Sequence, residues 1–186
     1  MQTPTPLRKS YMDIGAVYFF TATIHQWKPL LQNEAYCTII LNSFQFLSQK
    51  GLLDVFAFVI MPNHIHTIWR TNGRNGKETV QGSFLKYTAH EFKKLMLRTE
   101  PLLLNNFTVD AKNKKFEFWQ RDSLAVHLYS PEVAYQKLEY IHLNPLAEHW
   151  QLAKDPSDYF YSSASFYERD EWRFSFLKDL RIQMLG

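Results

Sequence analysis

The sequence predicts one mixed α+β domain, and two local patterns carry that expectation. Val55 to Met61 is an apolar run without alternation, the pattern of a strand covered on both faces. Pro62-Asn63 after it is turn chemistry, so His64 to Arg70 opens a second strand tightly paired with the first. From Thr79 to Arg98 the apolar residues instead recur at helical intervals, which predicts an amphipathic helix. At 186 residues the chain fits a single domain with a full core, with no internal repeat and no low-complexity tract.

In chain order, a basic N-terminal arm covers about residues 1–12, with Arg8 and Lys9 available to a phosphate or simply solvated. Ala16 to Ile24, dense in aromatic and β-branched residues, predicts the first strand. Asn33 to Gln49 predicts the first helix, closed by Lys50-Gly51. The strand pair follows, then the flexible turn Asn72 to Gly76 and the amphipathic helix. That helix turns Phe84, Leu85, Ala89, Phe92, Leu95 and Met96 to one side and Lys86, His90, Lys93 and Lys94 to the other. Such a cationic side is a solvated surface or, together with Lys112, Lys114 and Lys115, a phosphate-binding one. Glu100 to Lys115 is expected to be an irregular connection, and Phe116 to Tyr129 strand-like. Ser130-Pro131-Glu132 combines a capping serine, a proline at the first helical position and an early acid, so a helix starts there and ends at Asn144-Pro145. The extension from about residue 150 to 186 packs back on the domain or serves a dimer.

Composition narrows the function classes. The longest apolar run is far shorter than the roughly 20 residues that span a bilayer, and the first ten residues lack a signal-peptide core, so a cytoplasmic protein without membrane contact is expected. Cys37 is the single cysteine, which excludes an internal disulfide and a thiolate zinc cluster within one chain. A net charge of +3 permits a polyanionic partner without requiring one.

The pair His64 and His66 asks for a function. Residues i and i+2 of a strand share a face, so the two imidazoles stand side by side. They make half of a metal site or an ordinary polar surface, and a catalytic ion needs a third group from elsewhere. On the late helix Tyr140 and Asn144 are four residues apart and stack on one face with Lys137, while Ala134, Leu138 and Ile141 form the adjoining apolar stripe. Tyr135 and His142 fall on roughly the opposite side.

Met61-Pro-Asn-His-Ile-His66 followed by Tyr140-Ile-His-Leu-Asn-Pro145 resembles the tyrosine transposases of the HUH superfamily, in particular the repeat-associated (RAYT-like) branch. Phe118-Trp-Gln-Arg121 and Asp158-Tyr-Phe-Tyr-Ser-Ser163 extend the resemblance over most of the chain. It implies a ferredoxin-like antiparallel sheet with helices packed on one face. It also implies a metal-dependent single-stranded DNA endonuclease and strand transferase working through a 5′-phosphotyrosine. Motif by motif, His64 and His66 become metal ligands, Asn144 an amide-bearing third ligand and Tyr140 the nucleophile. Lys137 could stabilise the phenolate, and Lys86, Lys93, Lys94, Lys112, Lys114, Lys115 and Arg121 could contact single-stranded or hairpin DNA. Two imidazoles completed by oxygen, acting on a phosphodiester, favour Mg2+ or Mn2+ over zinc. The family motif commonly continues Asn-Pro-Val-Arg, whereas Leu146-Ala147 follow here and a cation is lost. A transposase-derived DNA-binding module that no longer cuts is the alternative. A zinc hydrolase is disfavoured, because no His-Glu-x-x-His pattern is present. Monomer and homodimer are both compatible with the sequence.

Overall fold

In a computed structural model, residues 12–111, 114–121 and 123–184 are described. The first strand, β1 (Val17–Thr23), alternates its side chains between the two faces of a sheet. Tyr18 and Phe20 join one hydrophobic core, and Val17 and Phe19 join another on the opposite face. Helix α1 (Glu34–Gln49) is started by Asn33, whose side-chain oxygen accepts from the Ala35 N–H at 3.0 Å. It is followed by Gly51 at φ 68°, a left-handed position that glycine occupies without strain. Strands β2 (Leu53–Met61) and β3 (His64–Thr71) form the expected hairpin, joined by Pro62-Asn63, with Met61 opposite His64. Every residue of β2 is buried, as its unbroken apolar pattern requires.

A small hairpin, β4 (Arg74–Asn75) and β5 (Glu78–Thr79), leads into α2 (Val80–Thr99), whose first turn is capped by the Thr79 hydroxyl. The connection after α2 is more ordered than its sequence suggests. Pro101–Phe107 is a 3-10 helix that buries Leu104 and Phe107, and β6 (Thr108–Ala111) pairs with β7 (Lys114–Phe116). Burial of these two large apolar side chains fixes a segment expected to be irregular. The strand-like stretch 116–129 is in turn divided. Trp119 makes a single bridge to Ile24, and only β8 (Leu124–His127) joins the sheet.

The four-stranded sheet runs β2-β3-β1-β8, with all three pairings antiparallel, which is the ferredoxin-like order. Helices α1 and α2 pack on one face around Phe44, Phe84 and Trp69, with Phe44 and Phe84 stacked at 5.2 Å. A third helix, α3 (Pro131–Leu143), covers the other face instead, burying Ala134 and Ile141 against Phe19, Val59 and Ile68. The short helices α4 (Ala164–Arg169) and α5 (Leu180–Met184) belong to a C-terminal segment that lies along the β2 edge. There the Ile60 N–H donates to Tyr161 O at 2.9 Å, the Ser163 N–H to Phe58 O at 3.0 Å and the Lys178 N–H to Val55 O at 2.9 Å. These bonds satisfy an edge that would otherwise offer unpaired backbone groups. Among the described residues no helix is long and apolar enough to cross a membrane. The N-terminal arm through residue 11 lies outside the described residues.

Candidate active site

Strand parity puts His64 and His66 on the α3 side of the sheet, because Ile65 and Trp69 point into the α1/α2 core. Their rings lie 4.7 Å apart, centre to centre, at 72°. Each imidazole is held through Nδ1: His66 by Thr21 Oγ1 at 2.7 Å and His64 by Asn63 Oδ1 at 2.7 Å. The Asn63 oxygen can only accept, so His64 Nδ1 carries the proton and Nε2 keeps its lone pair. The Thr21 hydroxyl accommodates the same tautomer at His66. Outer-sphere bonds of this kind orient imidazoles for metal binding.

Both rings are buried, at 7% and 6% exposure. Burial pushes the His64 pKa down to about 4, aided by His149, and that of His66 down to about 3, aided by His64 and Lys137. At neutral pH both are therefore neutral, the form in which imidazole donates to a metal. Phe19 stacks under His66 at 5.2 Å and 22°, and meets Tyr140 edge-on at 5.9 Å.

Helix α3 delivers the remaining groups. Ser130 accepts from the Val133 N–H, Pro131 opens the helix, and the apolar stripe docks it on the sheet. Tyr140 is left at the edge of the buried side, 47% exposed, with its ring 5.2 Å from that of His66. Lys137, one turn earlier, holds Nζ 5.5 Å from the centre of the Tyr140 ring and 5.0 Å from that of Phe19. Asn144 begins a one-turn 3-10 helix just past α3 and lines the same cleft. That cleft, of ≈ 480 Å³, is bounded by Thr21, Trp27, His64, His66, Tyr140, Leu143, Asn144, Ala147, His149 and Trp150.

The sequence-predicted residues thus separate into two groups. His64, His66, Tyr140, Asn144 and Lys137 come together. Lys86, Lys93 and Lys94 do not: α2 packs on the opposite face of the sheet. There Lys86 pairs with Glu78 at 2.6 Å, Lys94 with Glu91 at 3.7 Å, and Lys93 lies over the Phe116 ring at 5.1 Å. Lys115 lies over that ring too, at 5.5 Å. Arg121 pairs with Glu117 at 3.5 Å; its neighbour Gln120 donates to Thr23 O, which brings it to the end of β1 that faces His64. Lys112 and the side chain of Lys114 lie outside the described residues. His142 is buried, with Nε2 2.9 Å from Ser163 Oγ, and contributes to packing rather than to the cleft.

Thr21, Trp27, His149 and Trp150 are site residues that motif and spacing did not reveal. Thr21 reaches His66 through strand register, Thr21 opposite His66, and the others come from loops whose path only the folded chain defines. Asn63 stood inside the motif but was assigned only to the turn.

The donor set fits an ion modestly. Two free Nε2 atoms and the Asn144 amide are available, but among the described residues no group of three His, Cys, Asp or Glu side chains is placed to hold a metal.

No protein-family model matches the chain, and no curated protein matches it significantly in sequence. Among solved structures, the chain shares its fold with a REP-associated tyrosine transposase bound to a REP hairpin, at TM-score 0.60 and 18% identity over 92% of this chain and 91% of that one. A protein from Deinococcus radiodurans R1 given provisionally as a transposase matches at TM-score 0.43 and 12% identity, over 76% and 95% of the two chains.

Proposed function

We propose that the chain cleaves and rejoins single-stranded DNA as a RAYT-like transposase, with Tyr140 as nucleophile. The observation that carries this reading is the meeting of His64, His66, Tyr140 and Asn144 in one cleft, with both imidazoles fixed at Nδ1. The shared fold with a transposase bound to hairpin DNA supports DNA as the substrate. His64, His66 and the Asn144 amide oxygen would hold Mg2+ or Mn2+, which when bound supplies polarisation of a phosphate oxygen.

The remaining chemistry belongs to the chain. The Tyr140 oxygen attacks phosphorus, forming a tyrosine–phosphate ester as the bond to the 3′-oxygen breaks. That oxygen leaves as a 3′-hydroxyl after taking a proton, and the phenolic proton is lost to solvent. Lys137, whose Nζ lies over the Tyr140 ring at 5.5 Å from its centre, is the cation proposed to stabilise negative charge developing on the phenol. Return of a 3′-hydroxyl onto the ester reverses the step and joins strands, so no nucleotide cofactor is consumed. Phosphate contacts away from the cleft are proposed for Lys93, Lys94, Lys115 and Arg121, the first two on α2 across the sheet from the site.

A second reading is a transposase-derived module that binds DNA without cutting it, since the fold shared with a transposase bound to a REP hairpin supports DNA binding and does not by itself supply cleavage. The test is adduct formation on hairpin-containing single strands with Mg2+ or Mn2+. Wild type should become covalently joined to DNA, and Tyr140→Phe should bind with nearly unchanged affinity yet form no adduct. Wild type that binds but never forms one would establish the binding module, and an adduct persisting in Tyr140→Phe would move the nucleophile elsewhere.

A further inference from the structure

The cleft holds more aromatic surface than the chemistry at Tyr140 requires. The Trp27 indole is 59% exposed although it belongs to the cleft wall, and its ring centre lies 6.1 Å from that of His64 at 70°. The Trp150 ring lies 6.0 Å from the same imidazole at 49°. Two indoles from segments 123 residues apart in sequence therefore converge on one histidine. An exposed tryptophan held in place without apolar cover is a surface in want of a flat partner.

The backbone reinforces the point. Four non-glycine residues among those described have left-handed φ, and three of them are Gln26 (55°), Trp27 (57°) and Gln151 (47°). Such positions are strained for residues with a Cβ, and consecutive ones are rarer still. The strain at Trp27 is held by its own N–H donating to Ile24 O at 2.9 Å and its carbonyl accepting from Asn63 Nδ2 at 3.2 Å. Asn63 thus ties the Trp27 loop to the His64 ring with one side chain. Beside Gln151, Trp150 is fixed by its N–H to Ala147 O at 2.7 Å.

We infer that Trp27 and Trp150 form a stacking slot for one unpaired nucleobase beside His64, so that the phosphate of that nucleotide lies at the His64, His66 and Tyr140 end of the cleft. The inference rests on the single-stranded DNA reading and deepens it. An unpaired base is the occupant because the slot is aromatic, opens to solvent at Trp27, and ends in the groups that would handle a phosphodiester. A base inside a duplex cannot present its face, so the slot would favour single strands. Stacking is tolerant of base identity, and the slot would position the strand without reading its sequence.

The experiment compares binding of a random-sequence twelve-nucleotide single-stranded pool with that of an abasic deoxyribose-phosphate chain carrying the same number of phosphates, by anisotropy at fixed salt. Wild type should prefer the base-bearing pool by roughly ten-fold or more, a range set by single base–aromatic stacks. Trp27→Ala should reduce that preference to about two-fold without changing affinity for the abasic chain, and Trp27→Phe should keep most of it. Trp27 is exposed, so neither variant should shift the thermal midpoint appreciably. A Trp27→Ala protein that retains the full preference overturns the slot, and if it still forms the Tyr140 adduct the cleavage reading survives. Wild type that shows the Trp27-dependent preference but forms no adduct leaves the slot standing and removes cleavage. Wild type that binds neither probe overturns both.

Discussion

At the scale of single residues, the informative atoms are the hydrogen-bond partners of the two imidazoles. Thr21 Oγ1 lies 2.7 Å from His66 Nδ1, and it comes from the neighbouring strand. Thr21→Val keeps shape and β-propensity while deleting that oxygen. The ring should then lose the bond that orients it, and Mn2+ affinity measured by calorimetry should fall about 10- to 100-fold, the usual effect of removing an outer-sphere partner. Unchanged Mn2+ binding would show that His66 is not a ligand or that Thr21 does not orient it. Much of this site was legible in the sequence, since period-two parity puts His64 and His66 on one face and an i, i+4 register stacks Tyr140 with Asn144. Thr21 was not legible, because it reaches His66 only through the register of β1 on β3, which no local pattern encodes.

At the scale of elements, α2 and the C-terminal segment do separate jobs. The cationic side of α2 faces away from the cleft, and two of its three lysines already have acidic partners. Charge reversal of Lys93 and Lys94 together should weaken binding of hairpin DNA and reduce the slope of log affinity against log salt by about one to two. An unaltered slope would mean that this side of α2 is only solvated. The C-terminal segment instead seals the sheet edge. The Tyr167 hydroxyl donates to Phe56 O at 2.7 Å and accepts the Leu180 N–H at 3.0 Å, tying β2, α4 and α5 together. Tyr167→Phe should lower the unfolding free energy by about 1–3 kcal/mol, since it leaves a buried carbonyl and an amide short of a partner. Denaturant titration reads this directly, and a loss below a few tenths would show that water replaces the hydroxyl. Helices α1, α2 and α3 were legible from their caps and apolar stripes. The 3-10 helix at Pro101–Phe107 was not, because its order comes from Phe107 stacking on Phe118 at 4.7 Å, a tertiary contact.

At the scale of the molecule, the sheet has two covered faces, and this has an electrostatic consequence that composition cannot show. Three histidines are buried on the α3 side, and burial holds His64, His66 and His142 at pKa values of about 4, 3 and 4. Each lies below the ordinary value near 6.5, so between pH 6.5 and about 4 the unfolded chain takes up protons that the folded one refuses. Stability contributed by these groups is full above pH 6.5 and is lost as pH falls toward 4. Asp54 and Asp179, whose carboxyls are held below their ordinary range by Lys178 and Arg70 and by Arg181, matter only under about pH 4, outside that window. With metal chelated, the protein should therefore be less stable at pH 5 than at pH 7.5. His142→Gln separates this cause from general acid sensitivity. The amide can still bond Ser163 and cannot titrate in this range, so the difference between the two pH values should shrink by about 2 kcal/mol whatever the variant does to stability at pH 7.5. A variant with the same acid sensitivity as wild type would show that His142 is protonated in the folded protein already, and that the α3 side is open to water where the structure has it closed.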